Sequence, residues 1–155
     1  MATERKNPYA AFNFLVNING EDIAGFMEVS GLDAGNAVIE YREGRDQVGF
    51  DGAFLRKQPG IETYPNVTMR RGMTGGTALW DLRRAIRDGK DGPTVNPNAF
   101  PVWTIILQDE AHQPVITWVL ENAWISRLGG PSLNAKANEI AIESIEVVCE
   151  RITIQ

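Results

Sequence analysis

The sequence has few of the residues that protein sites most often use for chemistry. Cys149 is the only cysteine and His112 the only histidine, so an internal disulfide and a cysteine-rich zinc site are both excluded. We interpret Cys149 as a small buried apolar residue on the last strand and His112 as an exposed turn residue. A serine–histidine–aspartate triad would have to recruit this one histidine. We therefore predict that the protein is not an enzyme and uses no cofactor or metal.

Clustered positive charge and long apolar runs are also missing. The formal net charge is -5, which argues against a groove that holds nucleic-acid phosphates. A passive surface along which nucleic acid slides stays open. No run approaches the roughly 20 apolar residues of a membrane-spanning helix, and the first seven residues are polar and charged, unlike a secretory signal. We therefore expect a soluble protein made in the cytoplasm.

What is present is the composition of one globular domain. The chain has 155 residues, of which 43% are hydrophobic and 23% charged, so a sizeable core is expected and general disorder is not. Several segments alternate apolar with polar residues, a pattern typical of half-buried strands. These predicted strands include residues 12–18, 23–30, 37–42, 67–70, 103–107 and 116–120. The first two are expected to form one hairpin and the last two another.

One segment follows a helical period instead. Leu79, Leu82 and Ile86 share a face, which predicts a helix over residues 77–88 that ends at Gly89. Positive residues near its end suit the helix dipole. The preceding run, residues 71–76, lacks the lysine and the glycine spacing of a phosphate-binding loop, so we interpret it as a corner between strand and helix.

The C-terminal third is less regular. Residues 122–137 are predicted to be irregular. Residues 140–154 fit either a helical face or a strand, and their β-branched residues favour a strand with a phase slip near Ser144. The carboxylates of Asp109, Glu110, Glu139, Glu143 and Glu146 are interpreted as solvated turn and strand positions.

A long polar loop is the most informative feature. About twenty residues separate Gly44 from Val67, and a compact domain rarely keeps such a loop without a function. The loop carries both signs of charge, and its glycines give it conformational freedom. We interpret it as an arm that binds another chain.

A set of short motifs runs through the chain from about Pro8 to Glu150. Each motif alone is weak, but their joint order and spacing are specific. In chain order they are Phe14-x-Val16-x-Ile18-x-Gly20, Gly25-Phe26-x-Glu28-Val29-Ser30-Gly31-Leu32, Glu40-Tyr41-Arg42-Glu43-Gly44, Arg56-Lys57-x-Pro59-Gly60, Asn66-Val67-Thr68-Met69-Arg70-Arg71-Gly72, Ala78-Leu79-Trp80-Asp81, Leu107-x-Asp109-Glu110, Asn122-Ala123-Trp124, Gly130-Pro131-Ser132-Leu133-Asn134-Ala135 and Asn138-Glu139-Ile140-Ala141-Ile142-Glu143. This set resembles the tail-tube family of contractile bacteriophages and of phage-tail-like contractile injection systems.

The resemblance implies a fold and an assembly. The fold is mainly β with one α-helix: two packed antiparallel sheets forming a small barrel or sandwich, flanked by the helix and the long loop. It implies a single tail-tube domain over residues 1–155, with an assembly loop at about 44–63. Hexameric rings would stack into a hollow inner tube within a contractile sheath, with baseplate and tube-cap proteins as further partners. The lumen would conduct DNA or protein effectors, and the assembled particle would be released from the cell in some systems.

Two groups of residues follow as hypotheses. Subunit-interface candidates from the loop and its borders are Glu43, Arg45, Asp46, Arg56, Lys57 and Pro59. Lumen-lining candidates from the polar positions of strands are Glu40, Arg42, Thr68 and Arg70. From the net charge we expect a hydrophilic and mainly acidic wall. We also expect residues 44–59 to be mobile in the free monomer and ordered in the tube.

Three alternatives remain. A paralogue that initiates or terminates the tube in the baseplate would form a single ring. A β-barrel module would bind a small ligand with aromatic residues such as Trp80, Trp103, Trp118 and Trp124. An enzyme is the remaining class.

Overall fold

Eleven strands and one helix follow one another along the residues that the structure, a computed structural model, describes: 8–23, 25–41, 56–88, 100–136 and 138–155. The first half contains β1 (Phe14–Ile18), β2 (Glu21–Ile23), β3 (Phe26–Ser30), β4 (Gly35–Tyr41), β5 (Arg56–Thr63), β6 (Val67–Gly72) and α1 (Ala78–Asp88). The second half contains β7 (Trp103–Gln108), β8 (Pro114–Glu121), β9 (Trp124–Gly129), β10 (Ile142–Val148) and β11 (Arg151–Ile154).

Two antiparallel sheets make up the body of the molecule. The five-stranded sheet has the order β11-β8-β7-β1-β2, and the four-stranded sheet has the order β3-β6-β10-β9. Among the described strands neither sheet closes on itself, so the body is a sandwich and not a closed barrel. The predicted fold class is confirmed: it is mainly β, with packed antiparallel sheets and one helix.

The core lies between the two sheets and under the helix. Alternate residues of the central strands point inward, as the period-two pattern predicts, and each large apolar side chain that is fully buried contributes about 1.5–3 kcal/mol. Residues of this core include Val16, Met69, Leu79, Trp103, Ile105, Leu120, Ile125, Ile145 and Val147. The indole N–H of Trp103 has no hydrogen-bond partner among the described residues, so its burial offsets part of this gain.

The helix α1 closes one side of the sandwich. Its first turn is anchored at Thr77, whose carbonyl accepts a 2.9 Å hydrogen bond from the Asp81 N–H and whose hydroxyl donates to the Asp81 carboxylate at 3.2 Å. Leu79 is fully buried and Leu82 packs against the core, which places α1 against β9. The predicted helix is confirmed to within one residue at its start, and Gly89 lies outside the described residues.

Two predicted strands are each divided between the sheets. The prediction of one strand over residues 23–30 is wrong, because the chain turns at Gly25, with φ +92°, and passes from β2 in one sheet to β3 in the other. Only the short β1–β2 hairpin forms. The strand interpretation of residues 140–154 is confirmed, but β10 and β11 also belong to different sheets. The register shift lies between Glu146 and Val147, not near Ser144.

The hairpin of β7 and β8 is confirmed, whereas the irregular region predicted over residues 122–137 contains β9. The sequence of β9 lacks strict alternation because its pairing with β10 contains the register shift, which hid the strand. Cys149 is buried as predicted, and burial raises the pKa of its thiol. Its predicted place on the last strand is wrong, because it lies between β10 and β11. His112 is an exposed turn residue as predicted, with φ +59°.

A charged pair inside the core is the main feature that the sequence interpretation missed. Arg71 on β6 and Glu143 on β10 lie opposite each other in register, form a hydrogen-bonded ion pair, and are only 3% and 1% exposed. The Arg71 guanidinium also lies 6.0 Å from the ring centroid of Phe26. The interpretation of Glu143 as a solvated carboxylate is therefore wrong. Glu143 lies two residues before the buried Ile145 on β10, so strand alternation points both side chains inward.

Removing the carboxylate of this pair is expected to be costly. Glu143→Ala leaves the Arg71 guanidinium buried without its partner, and the free energy of unfolding of the unassembled chain should fall by about 3–5 kcal/mol. Urea denaturation followed by circular dichroism measures this change. The control is Glu28→Ala, which breaks the exposed pair with Arg70 and should cost at most about 1 kcal/mol. Equal losses in the two variants would contradict the assignment of a buried pair.

Gly31, after β3, is expected to tolerate no side chain. Its φ is +87°, and a Cβ there would collide with the backbone carbonyl oxygen of Asn66, so Gly31→Ala combines backbone strain with a steric clash. The free energy of unfolding should fall by about 2 kcal/mol or more. Gly75→Ala is the control, because a Cβ at Gly75 meets no atom within 4 Å; its effect should stay within about 0.5 kcal/mol. A Gly31→Ala variant as stable as this control would refute the argument.

Candidate functional site

The middle of the outward side of the four-stranded sheet is polar, between the apolar Ile142 and Val148 at the two ends of β10. On β6, Val67 and Met69 point into the core, so Thr68 and Arg70 point away from it. On β10 the same alternation turns Ser144 and Glu146 outward. We call this surface the polar face, and its members are Glu28, Ser30, Thr68, Arg70, Arg127, Ser144 and Glu146.

The register of the strands arranges the polar face in two rows across the sheet. One row runs Ser30–Thr68–Glu146–Arg127, and the other runs Glu28–Arg70–Ser144–Gly129. Directly opposed side chains on one face of a sheet have Cβ atoms about 5 Å apart and interact. Each row therefore places one carboxylate and one guanidinium on the same line of side chains.

Hydrogen bonds hold the two carboxylates of the polar face in place. The Glu28 carboxylate lies 3.5 Å from the Arg70 guanidinium, measured from Oε2 to Nη1. The Glu146 carboxylate accepts a 2.6 Å hydrogen bond from the Asn66 side-chain amide and faces Arg127 in register. At the end of the other row, a Cβ on Gly129 would lie 2.6 Å from the Ser144 hydroxyl oxygen, so glycine allows this close approach.

Both edges of the four-stranded sheet are free on one side. Among the described strands, β3 pairs only with β6 in this sheet and β9 pairs only with β10. A free edge presents unpaired backbone N–H and C=O groups, which are a template for another strand. The two edges are different surfaces, so joining β3 of one copy to β9 of another is geometrically a head-to-tail contact.

A two-stranded antiparallel ribbon, β4 with β5, extends from the body. Every residue of β4 is exposed, and on β5 only Gly60 is partly covered. Val38 is 62% exposed and Ile61 80% exposed, although both are β-formers with large apolar side chains. A ribbon of two strands with no covered face is at best marginally stable in water, so this ribbon is incomplete by itself.

The ribbon contains a bulge that glycine makes possible. The register shifts between Asn36 and Val38, and a Cβ on Gly60 would lie 2.8 Å from the Ala37 carbonyl oxygen. The interpretation of residues 56–63 as loop is therefore wrong, because they form β5. Pro59 and Gly60 suggested a break in the chain, and a strand with no buried face leaves no apolar alternation to detect.

Tyr64 ties the base of the ribbon to the body. It packs against the core, and Glu62 of β5 and Arg151 of β11 both interact with its hydroxyl. The hydrogen bond to the Glu62 carboxylate raises the pKa of the Tyr64 phenol, and Arg151 opposes this shift. Thr63 adds a 3.1 Å hydrogen bond from its hydroxyl to the Gly35 carbonyl. The ribbon thus leaves the body at a fixed point.

The predicted site residues fall into separate places. Thr68 and Arg70 lie together on the polar face, as strand alternation predicted. Glu40 is instead on β4, opposite Lys57 in register and 3.9 Å from its ammonium nitrogen. Arg56, Lys57 and Pro59 are exposed on β5. Arg42, Glu43, Arg45 and Asp46 lie outside the described residues, as does most of the predicted mobile segment 44–59.

Sequence interpretation missed four members of the polar face: Glu28, Ser30, Arg127 and Ser144. The turn at Gly25 and the register shift at Glu146 and Val147 disturb the alternation that would have identified them. Of the four tryptophans, Trp103 is in the core and Trp118 packs against it, whereas Trp80 is 42% exposed. Trp124 lines a pocket beside α1 together with Trp103.

Neither a metal cluster nor a spanning helix occurs in the part of the chain that the structure describes. No group of three or more His, Cys, Asp and Glu side chains there is placed to hold a metal ion. No helix in the same residues has the length and apolar character that crossing a bilayer requires.

Solved structures of similar fold come from contractile injection systems. A chain in the structure of the anti-feeding prophage cap, the AFP tube terminating cap, is 30% identical, with a TM-score of 0.82 and coverage of 100% of this chain and 95% of that one. A chain in the PVC sheath-tube complex in the extended state is 32% identical, with a TM-score of 0.77 and coverage of 96% and 91%. One in the PVC sheath/tube terminator is 32% identical, with a TM-score of 0.80 and coverage of 97% and 98%.

The sequence profile of one protein family agrees with these structures. No curated protein matches the chain. The profile described as T4-like virus tail tube protein gp19 matches residues 10–153, which includes both sheets, the helix and the ribbon. The chain therefore belongs to the T4-like virus tail tube protein family, a family of structural tube proteins.

Proposed function

We propose that this chain is the main subunit of the inner tube of a contractile tail or contractile injection system. Hexameric rings of the chain stack into a rigid hollow tube that is driven through a target envelope and conducts cargo. The observation that carries this proposal is the four-stranded sheet: its buried side is mostly apolar, the middle of its outer side is polar, and among the described strands it has a free edge at each end.

Ring closure follows from the two free edges. If β3 of one subunit pairs with β9 of the next, each junction continues the sheet, and the polar face becomes the inner wall of the ring. Such a head-to-tail contact either closes into a ring or propagates as a filament. Closure also removes the exposed edges, which are otherwise a liability for a soluble protein.

Stacking of rings is the role proposed for the ribbon. A strand of eight residues such as β5 spans about 26 Å at roughly 3.3 Å per residue, which lets the ribbon extend towards a neighbouring copy. Val38 and Ile61 offer apolar surface for a neighbouring copy to cover, and Arg56, Lys57 and Glu40 surround it with charges of both signs. Glu43, Arg45 and Asp46, which lie outside the described residues, remain proposed interface residues.

The further partners are a contractile sheath, baseplate proteins and a tube cap. Support comes from relatives whose structures are described as a sheath-tube complex, a sheath/tube terminator and a tube terminating cap. The proposed role is mechanical: the chain binds copies of itself and surrounds a cargo of DNA or protein, and it acts within an assembled tail-like particle with no catalytic step.

A terminating or capping ring is the second candidate. The structures described as a tube terminating cap and a sheath/tube terminator match with TM-scores of 0.82 and 0.80, against 0.77 for the sheath-tube complex. A terminator would use the same ring contacts but would stop stacking on one side. The two candidates therefore differ in whether the purified chain propagates.

Electron microscopy of the purified full-length chain tests the main proposal. Negative-stain images should contain long tubes of one ring diameter, with copies of the chain as their only component. Isolated rings that do not lengthen at rising protein concentration would favour the terminator. Monomers at every concentration would refute both roles.

A charge placed on the ribbon should block stacking without unfolding the monomer. Ile61 is 80% exposed in the single chain, so Ile61→Asp should change the free energy of unfolding by no more than about 0.5 kcal/mol. Tube length in negative stain should nevertheless collapse to single rings, because assembly would bury the new carboxylate. Ile61→Thr keeps the β-branched shape without a charge and should still form tubes. Normal tubes from Ile61→Asp would exclude the ribbon from the ring-to-ring contact.

A further inference from the structure

We propose that Glu28 and Glu146 are specificity-determining residues that prevent the polar face from retaining nucleic acid and other polyanions. Each carboxylate neutralises one guanidinium of the wall, so cargo passes without being held. This inference rests on the proposed function, in which the polar face lines the lumen.

Positive and negative charges balance on the polar face. Its seven members include two carboxylates, Glu28 and Glu146, and two guanidiniums, Arg70 and Arg127, so the face is formally neutral. The whole chain carries -5. We expected a mainly acidic wall from the net charge; if the polar face lines the lumen, the proposal is a balanced wall instead. The excess acidic residues of the chain lie elsewhere.

Opposite charges are also placed next to each other. The register puts one Glu and one Arg in each row, so neither row has a net charge. Glu28 lies 3.5 Å from Arg70, and Glu146 opposes Arg127 while Asn66 orients its carboxylate. Repetition around a ring would produce alternating signs with no continuous basic path for a phosphate backbone to follow.

Holding a polyanion requires features that the polar face lacks. Nucleic acid binds tightly where several Lys or Arg side chains neutralise phosphates and release counterions. Single strands also use aromatic side chains on which bases stack. The two rows of the polar face contain no aromatic residue, and their other three side chains are the hydroxyl residues Ser30, Thr68 and Ser144. Beyond these rows the outward positions of β10 are apolar: Ile142 at one end, and Val148, which pairs with Trp124, at the other. Retention through phosphates is therefore weak while the two carboxylates are present, and the two rows themselves offer no aromatic ring for a base to stack on.

The carboxylates of Glu28 and Glu146 are the two groups that neutralise the positive charge of the polar face. Glu28→Gln and Glu146→Gln replace each carboxylate with an uncharged amide of nearly the same shape, and the new amide at position 146 keeps an oxygen that accepts from Asn66. The double variant gives every subunit a wall charge of +2 in place of zero, because Arg70 and Arg127 remain. Repeated along a tube, this converts a neutral wall into a continuous basic one.

The experiment measures retention of a fluorescent single-stranded oligonucleotide of about 20 nucleotides, a length that spans more than one binding site of a typical single-strand groove. Tubes of the full chain are incubated with this probe, sedimented, and assayed over a salt series. Wild-type tubes should retain little probe at any salt concentration. E28Q/E146Q tubes should retain at least about tenfold more at low salt and lose it steeply as salt rises.

The matched control replaces the same number of glutamates by glutamine at positions away from the polar face. Glu21 on β2 and Glu110 in the turn before β8 are both exposed, and E21Q/E110Q tubes should retain no more probe than wild type. Retention by wild-type tubes as strong as by E28Q/E146Q would overturn the proposal. So would equal gains in E28Q/E146Q and E21Q/E110Q.

A second variant keeps the test decisive if E28Q/E146Q does not assemble. R70Q/R127Q removes the two guanidiniums, and its tubes should retain a fluorescent oligolysine and not the oligonucleotide. Failure of R70Q/R127Q tubes to retain oligolysine would count against the balanced wall.

A nuclease coupled to beads wider than the tube separates this inference from the proposed function. Oligonucleotide retained in a lumen is protected from such beads. Digestion of the retained probe would place the polar face outside the lumen and refute this inference together with the proposed ring arrangement, whereas the role as a tube subunit is tested separately by tube formation in negative stain. Protected probe with equal retention by wild-type and variant tubes would refute the inference alone.

Discussion

Burial of the apolar sides of the two sheets against each other is the constraint on which the rest of the molecule depends. Met69, Trp103 and Ile145 meet in this layer, and each gains free energy only while both sheets are present. Because side chains alternate along a strand, fixing these residues inward also fixes their neighbours outward. The polar face on β6 and β10 is thus a direct consequence of the core.

The same constraint accounts for the buried ion pair. Arg71 and Glu143 occupy inward positions of β6 and β10, so the strands can keep their register only if the two charges enter the core together. If one of these two strands shifted by one residue, its apolar side chains would turn outward and the charge on the other strand would be buried alone. This would cost several kcal/mol. The pair therefore favours one register between the two central strands of the four-stranded sheet.

What the sandwich leaves uncovered points to assembly. The core covers one side of each sheet. Within the described part of the chain, however, β3 and β9 each lack a second strand partner, and both faces of the ribbon have no cover. A single subunit is thus complete in its core and incomplete at its margins. In the proposed tube, contacts between copies would provide the missing strand partners and the missing apolar cover.

Strand alternation and helical period in the sequence by themselves determined the class of fold, the helix and the outward position of Thr68 and Arg70, because these patterns are local. The ordered motifs also identified the family. Only the tertiary structure decided that the chain changes sheets at Gly25 and near Cys149, that residues 56–63 pair as a ribbon, and that Glu143 is inside. These outcomes depend on which distant strand each segment pairs with. Pairing between segments far apart in the sequence produces no periodic pattern within either segment, so the sequence alone does not show it.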